Sequence, residues 1–131
     1  ANVPNIQEHL HASHIAVCPL HLARGIQNKV LEAMSCGLPT VVAPQSAEGI
    51  EAIDGVEFMV ADQANEWIES LSKLVEQSSL REEIGRAARS RIEEGYSWTA
   101  RLTPVDELLK GLLSMPPSCL PHQQPAECTS R

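Results

Sequence analysis

The chain has 131 residues, 43% of them hydrophobic, enough for one ordinary domain with a packed core and too many for a disordered protein. Ten Lys and Arg against 17 Asp and Glu give a net charge of −7, and the cations are scattered, so there is no basic footprint for nucleic acid. Aromatic residues make up 3% of the chain (Phe58, Trp67, Tyr96, Trp98), which excludes both a stacking platform for bases and an aromatic-rich carbohydrate surface.

From the N-terminus, Asn5 to Ser13 reads as a short helix with Ile6 and Leu10 at i, i+4 spacing. The apolar run Ile15–Ala16–Val17–Cys18, ended by Pro19, then reads as a buried strand. After polar and turn residues from His21 to Gly25, the positions Ile26, Val30, Ala33, Met34 and Gly37 predict an amphipathic helix with a glycine stop. Pro39 to Ala43 is a second strand, and its core Thr40–Val41–Val42 lacks polar alternation, as in a parallel strand covered on both faces. Pro44 to Gly49 is a loop or short helix, and Glu57 to Val60 a third strand.

Three helical patterns follow. The first puts Ala64, Trp67, Leu71, Leu74 and Val75 on one stripe; the second, Leu80, Ile84, Ala88 and Ile92; the third, Trp98, Leu102, Val105, Leu109 and Leu112. Ser79 and Glu82 have capping-box spacing for the start of the second helix, and Gly95 would stop it. Pro104 would kink the third helix or mark its true start. Residues 115–131 hold Pro116, Pro117, Pro121 and Pro125 without periodicity and read as a disordered tail after a folded segment 1–114.

Strands alternating with helices predict an α/β unit with a parallel sheet and right-handed crossovers. Three strands make a small sheet whose first strand has no partner in the sequence. The expected architecture is the second half of a doubly wound, Rossmann-like domain, its free edge covered by strands from a longer chain. The start at Ala1, with neither Met nor a secretory pattern, fits that expectation. No apolar run approaches the ~20 residues that span a bilayer.

Cysteines at 18, 36, 119 and 128 match neither a zinc ribbon nor a redox pair, so a reducing compartment is expected. His9, His11, His14 and His21 cluster in sequence, but on a helix His9 and His11 project about 200° apart, and no metal site is predicted.

The stretch from Arg24 to Val42 carries the chemistry. Gly25 precedes a helix start at the C-terminal end of a buried strand, where open α/β sheets bind ligands. Free N–H groups from Gly25 to Asn28 and the helix dipole suit a phosphate or diphosphate. Asn28, Lys29 and Glu32 share the polar face of that helix, and a carboxylate one turn beyond a diphosphate can accept hydrogen bonds from ribose hydroxyls. On periodicity alone the plainer reading is that Lys29 and Glu32 form a solvated helix pair worth a few tenths of a kcal/mol, with Gly25 marking a turn.

The blocks Lys29–Val30–Leu31–Glu32–Ala33–Met34, Gly37–Leu38–Pro39–Thr40–Val41–Val42, Ala47–Glu48–Gly49–Ile50, the strand from Gly55 to Ala61, and Tyr96–Ser97–Trp98 occur in this order. Over roughly Val3 to Leu113 the chain resembles the C-terminal half of bacterial glycosyltransferase family 4 enzymes. Within that family it is most similar to sugar transferases of exopolysaccharide and PEP-CTERM/exosortase loci. The resemblance implies a GT-B fold, with two Rossmann-like domains facing across a cleft and the nucleotide-sugar donor held mainly by the C-terminal one. It implies a retaining, metal-independent transferase of hexosyltransferase type, with no cofactor. The donor would be a UDP- or GDP-sugar and the acceptor a polysaccharide or lipid-linked glycan bound by the other domain. With no membrane-spanning run, a cytoplasmic protein is expected, and any contact with the cytoplasmic face of the inner membrane, where lipid-linked acceptors sit, would come from that other domain.

By the same resemblance, Gly25, Ile26, Gln27 and Asn28 match the loop whose backbone faces the diphosphate, Ile26 through its backbone alone. Lys29 matches a common basic position, and Glu32 the second glutamate of a pair separated by seven residues, which contacts the ribose. The first of that pair falls at position 24, where this chain has Arg24, the one catalytic candidate; an Arg there would meet diphosphate or a sugar carboxylate instead. Glu48 and Gly49 match a loop bordering the site, though Glu48 fits surface charge equally well. The acceptor domain and the first strands with their diphosphate-gripping Arg and Lys are absent, so the segment is expected to be inactive alone. The alternative is a degenerate nucleotide-sugar-binding domain that has lost its chemistry with the glutamate at 24. A flavodoxin-like or receiver-like domain would need a flavin phosphate loop or an acidic phospho-acceptor cluster, and neither is visible.

Overall fold

A computed structural model describes residues 5–113. Asn5 caps α1 (Ile6–His11) by accepting the Gln7 N–H at 3.1 Å. There follow β1 (Ala16–Cys18), α2 (Asn28–Ser35), β2 (Thr40–Val42), α3 (Pro44–Ala47), β3 (Met59–Val60), α4 (Ala64–Glu76), α5 (Ser78–Gly95) and α6 (Trp98–Leu113). The strands form one parallel sheet in the order β1-β2-β3, with Ala16 opposite Thr40 and Val41 opposite Met59.

All of β2 is buried, as its unbroken apolar core requires. Successive residues face opposite sides, so Val42 and Val41 enter different cores. Val42 packs with Cys18, Val30, Met34, Ile50, Phe58 and Ala88; Val41 packs with Ala61, Leu74 and Ile84. Helix α5 serves both cores, through Ala88 and Ile84. Strand β1 is an edge among the described residues, and its Val17 is 53% exposed.

The glycine stop of α2 is a Schellman turn. Gly37 takes φ +72°, its N–H bonds to the Met34 carbonyl at 2.9 Å, and the Leu38 N–H reaches the Ala33 carbonyl at 3.1 Å. Helix α5 crosses this turn at Gly85, where an added Cβ would lie 2.2 Å from the Gly37 carbonyl oxygen.

Several details depart from the sequence reading. Helix α2 starts at Asn28; Ile26 stays outside it, 48% exposed, because Gln27 is extended at φ −86° and ψ 100° and acts as N-cap. Ser79 caps nothing. Only Gln77 separates α4 from α5, so α5 starts at Ser78 and Ser79 already lies in its first turn. At the preceding helix, the Glu66 carboxylate caps α4, accepting the N–H groups of Asp62 at 2.8 Å and Gln63 at 3.2 Å. Gly95 is the last residue of α5 without adopting positive φ. The third strand shrinks to two residues because Glu57 belongs to a tight turn, its N–H bonded to the Ile53 carbonyl at 2.9 Å. Helix α6 runs through Pro104, and its stripe remains on the surface, with Trp98 82% exposed, because no described element covers it. The tail 115–131 lies outside the described residues. Among them, no helix is long and apolar enough to cross a membrane.

Candidate functional site

Because the strands are parallel, Cys18, Val42 and Val60 end on one edge of the sheet, and the segments 19–27, 43–50 and 61–63 gather there. This carboxyl edge is the ligand-binding side of open α/β sheets. The segment 19–27 crosses it, since His21, which follows β1, reaches Asp62, which follows β3, with Nδ1 and Oδ1 3.8 Å apart. Below this crossing, the buried Ser46 hydroxyl donates to the Leu20 carbonyl at 3.0 Å.

Arg24 and Gly25 form the apex of the segment. Gly25 sits at φ +68°, and a Cβ built there meets nothing within 4 Å, so its backbone opens outward. The Gln27 side-chain amide closes the turn by donating to the Gly25 carbonyl at 3.1 Å. Gln27 therefore turns its amide onto its own loop. Gly49, at φ +83°, brings the next segment against Ile26, whose Cγ1 lies 3.5 Å from where a Gly49 Cβ would be. Glu48 beside it is exposed.

At the start of α2, the N–H groups of Asn28 and Lys29 have no intrahelical acceptor, while the Val30 N–H bonds back to the Gln27 carbonyl at 2.9 Å. Asn28, Lys29 and Glu32 all lie on the exposed face, as their spacing predicts, and Val30, Ala33 and Met34 on the buried one. Among the described residues neither Lys29 nor Glu32 forms an ion pair. Arg24 is likewise unpaired. The other described cations are mostly engaged: Lys73 with Glu69, Arg89 with Glu93, Arg91 with Glu57, Lys110 with Asp106, Arg81 on the Leu74 and Val75 carbonyls, and Arg101 over the Tyr96 ring. Two free positive side chains thus flank a helix N-terminus whose N–H groups are also unsatisfied. That combination can bind an anion electrostatically.

Sequence reasoning passed over three supports of this edge. Ser46 was hidden because a lone serine in a stretch that reads as a loop or short helix carries no pattern. The Tyr96 hydroxyl accepts the Glu51 N–H at 2.6 Å, tying the end of α5 to the segment after α3. Glu57, buried, accepts from Arg91 at 2.8 Å and from the Ile53 N–H at 2.6 Å. Among the described residues no group of three His, Cys, Asp or Glu is placed to hold a metal ion.

Residues 1–77 match the family described as glycosyl transferases group 1. The chain belongs to this family. Over 105 residues it is 27% identical to an uncharacterized glycosyltransferase of Methanocaldococcus jannaschii, a match covering 79% of this chain and 27% of that protein. Its fold is similar to sucrose-phosphate synthase from Thermosynechococcus elongatus, with a TM-score of 0.68 at 18% identity, covering 80% of this chain and 27% of that one. The fold of this group 1 chain therefore corresponds to part of a GT-B glycosyltransferase, and the chain spans 27% of the length of each of these relatives. The family match takes in the whole candidate edge, from β1 through β3, together with α4.

Proposed function

We propose that this chain forms the donor side of a retaining, metal-independent glycosyltransferase of the hexosyltransferase type. It would move a sugar from a UDP- or GDP-sugar to a polysaccharide or lipid-linked acceptor, in a bacterial exopolysaccharide setting at the cytoplasmic face of the membrane. The observation that carries this reading is the arrangement at the carboxyl edge: Gly25 open to solvent, unsatisfied N–H groups on Asn28 and Lys29, and Arg24 and Lys29 without partners.

In transfer, the bond from the anomeric carbon to the diphosphate oxygen breaks and its electron pair leaves with the diphosphate. Positive groups already in place stabilise that charge without reorganising. Here the N-terminal amides of α2, Lys29 and Arg24 would serve that role. Glu32 lies one turn along the same face, ~6 Å further by helical rise, a spacing that suits ribose hydroxyls. Glu48 and Gly49 would border the sugar. The acceptor would be bound by the part of the GT-B fold outside this chain, and for that reason the 131-residue segment alone is proposed to be inactive. The presence of Arg24 where the family motif has a glutamate supports a second reading, a nucleotide-sugar-binding domain without catalysis. Nucleotide binding by the full-length protein with no sugar transfer would select it.

Calorimetric titration of UDP and GDP into the protein and its Lys29→Ala variant tests the electrostatic part. The variant is expected to raise Kd about threefold to tenfold at 0.1 M salt, with the difference fading at 1 M salt as the Debye length falls to about 3 Å. Equal affinities for parent and variant at both salt concentrations would contradict it.

A further inference from the structure

We infer that Ser46 is a positioning residue for the donor loop, holding residues 19–27 in the shape that presents Arg24 and Gly25 at the start of α2. The functional half of this inference rests on the donor-binding reading above. Ser46 is completely buried in α3, immediately past the end of β2. A buried hydroxyl is costly unless its hydrogen-bonding capacity is used. Here both halves are used: Oγ donates to the Leu20 carbonyl at 3.0 Å and accepts from the Cys18 thiol at 3.6 Å. The Ser46 N–H is itself tied to the Ala43 carbonyl at 2.9 Å, so the hydroxyl is held from the sheet side.

Past Leu20, which packs on the core, the loop has little else to hold it. Among the described residues, the bond from Ser46 to Leu20 is the one hydrogen bond joining residues 19–26 to anything outside segment 19–27. The remaining ties are the packing of half-buried Leu20 against the core around Val42 and, on the solvent side, the packing of Ile26 toward Gly49 and the 3.8 Å approach of His21 to Asp62. An exposed pair of that kind contributes little. Position 46 therefore acts through the loop: it touches no candidate ligand atom, yet it sets where the Arg24–Gly25 turn stands relative to Asn28 and Lys29.

The test uses Ser46→Ala, which removes only the hydroxyl and suits a helical backbone. Ile84→Val, in the opposite core, serves as the comparison because it loosens packing without touching the loop. Backbone 15N relaxation reads the loop directly, and titration with UDP and with GDP reads its consequence. In Ser46→Ala the order parameters of residues 20–26 are expected to fall from near 0.8 to below about 0.6. The Kd for whichever nucleotide the parent binds is expected to rise about fivefold. Ile84→Val should leave both readouts at parental values. Unchanged order parameters in Ser46→Ala would overturn the inference, and so would a loosened loop that binds the nucleotide as tightly as the parent. If the parent binds neither nucleotide, the donor reading fails on its own, and the relaxation data still decide whether Ser46 holds the loop.

Discussion

Gly85→Ala is expected to destabilise the domain by about 2–3 kcal/mol, the reverse of what this substitution does in an exposed helix, where alanine gains roughly 0.5–1 kcal/mol over glycine. An added Cβ at position 85 would lie 2.2 Å from the Gly37 carbonyl oxygen, 3.1 Å from its carbon and 3.5 Å from Pro39 Cδ. These are backbone and ring atoms. Gly37 cannot yield, because its positive φ closes the Schellman turn that ends α2. The helices must separate instead, which opens the core in which Val30 and Met34 meet Ala88. Gly95→Ala is the natural comparison: the residue is helical and its Cβ would meet nothing within 4 Å, so stability should rise by up to about 1 kcal/mol. Urea unfolding followed by tryptophan fluorescence should give midpoint shifts of opposite sign. A Gly85→Ala protein as stable as the parent would mean that α2 and α5 are not in backbone contact.

Arg91→Met should cost about 2–3 kcal/mol at neutral pH. The Glu57 side chain is 9% exposed and that of Arg91 32%, with Oε1 and Nε 2.8 Å apart. Methionine retains most of the apolar stem but leaves the Glu57 carboxylate with one partner, the Ile53 N–H. Fully buried pairs lose about 3–5 kcal/mol when one member is removed, and the partial exposure of Arg91 lowers the expectation here. The double variant Glu57→Gln with Arg91→Met removes the stranded charge and should recover at least half of the loss. A single Arg91→Met variant within about 0.5 kcal/mol of the parent would show that the pair behaves as an ordinary surface ion pair.

These two sites show where sequence legibility ends. The alternation of strand and helix, the all-buried character of β2 and the glycine stop of α2 follow from local composition, because periodicity and a left-handed turn are short-range properties. Gly85 and the pair of Glu57 with Arg91 depend on residues 48 and 34 positions apart in sequence, which no local pattern brings together. Ser79 had suitable spacing for a cap of α5, but the single-residue connection at Gln77 moved the helix start, while at α4 the capping falls to Glu66, which has no Ser or Thr before it. The stripe on α6 reads as a packing surface in sequence, and within the described residues it has nothing to pack on. At the candidate site, the shared face of Lys29 and Glu32 was visible from spacing. That neither is paired, and that Ser46 lies beneath the loop, could be seen only once the three strand ends were brought to one edge.

Titration of UDP and GDP into the full-length protein and its Glu32→Ala variant bears most directly on the donor reading. Glu32 is exposed on α2, makes no ion pair among the described residues, and supports no core contact, so its loss should leave stability near that of the parent. Saturable binding of one nucleotide, weakened by about 1–3 kcal/mol in Glu32→Ala through loss of ribose hydrogen bonds, is the predicted result. Binding of neither nucleotide, or equal binding by parent and variant, would contradict a donor site built on this helix.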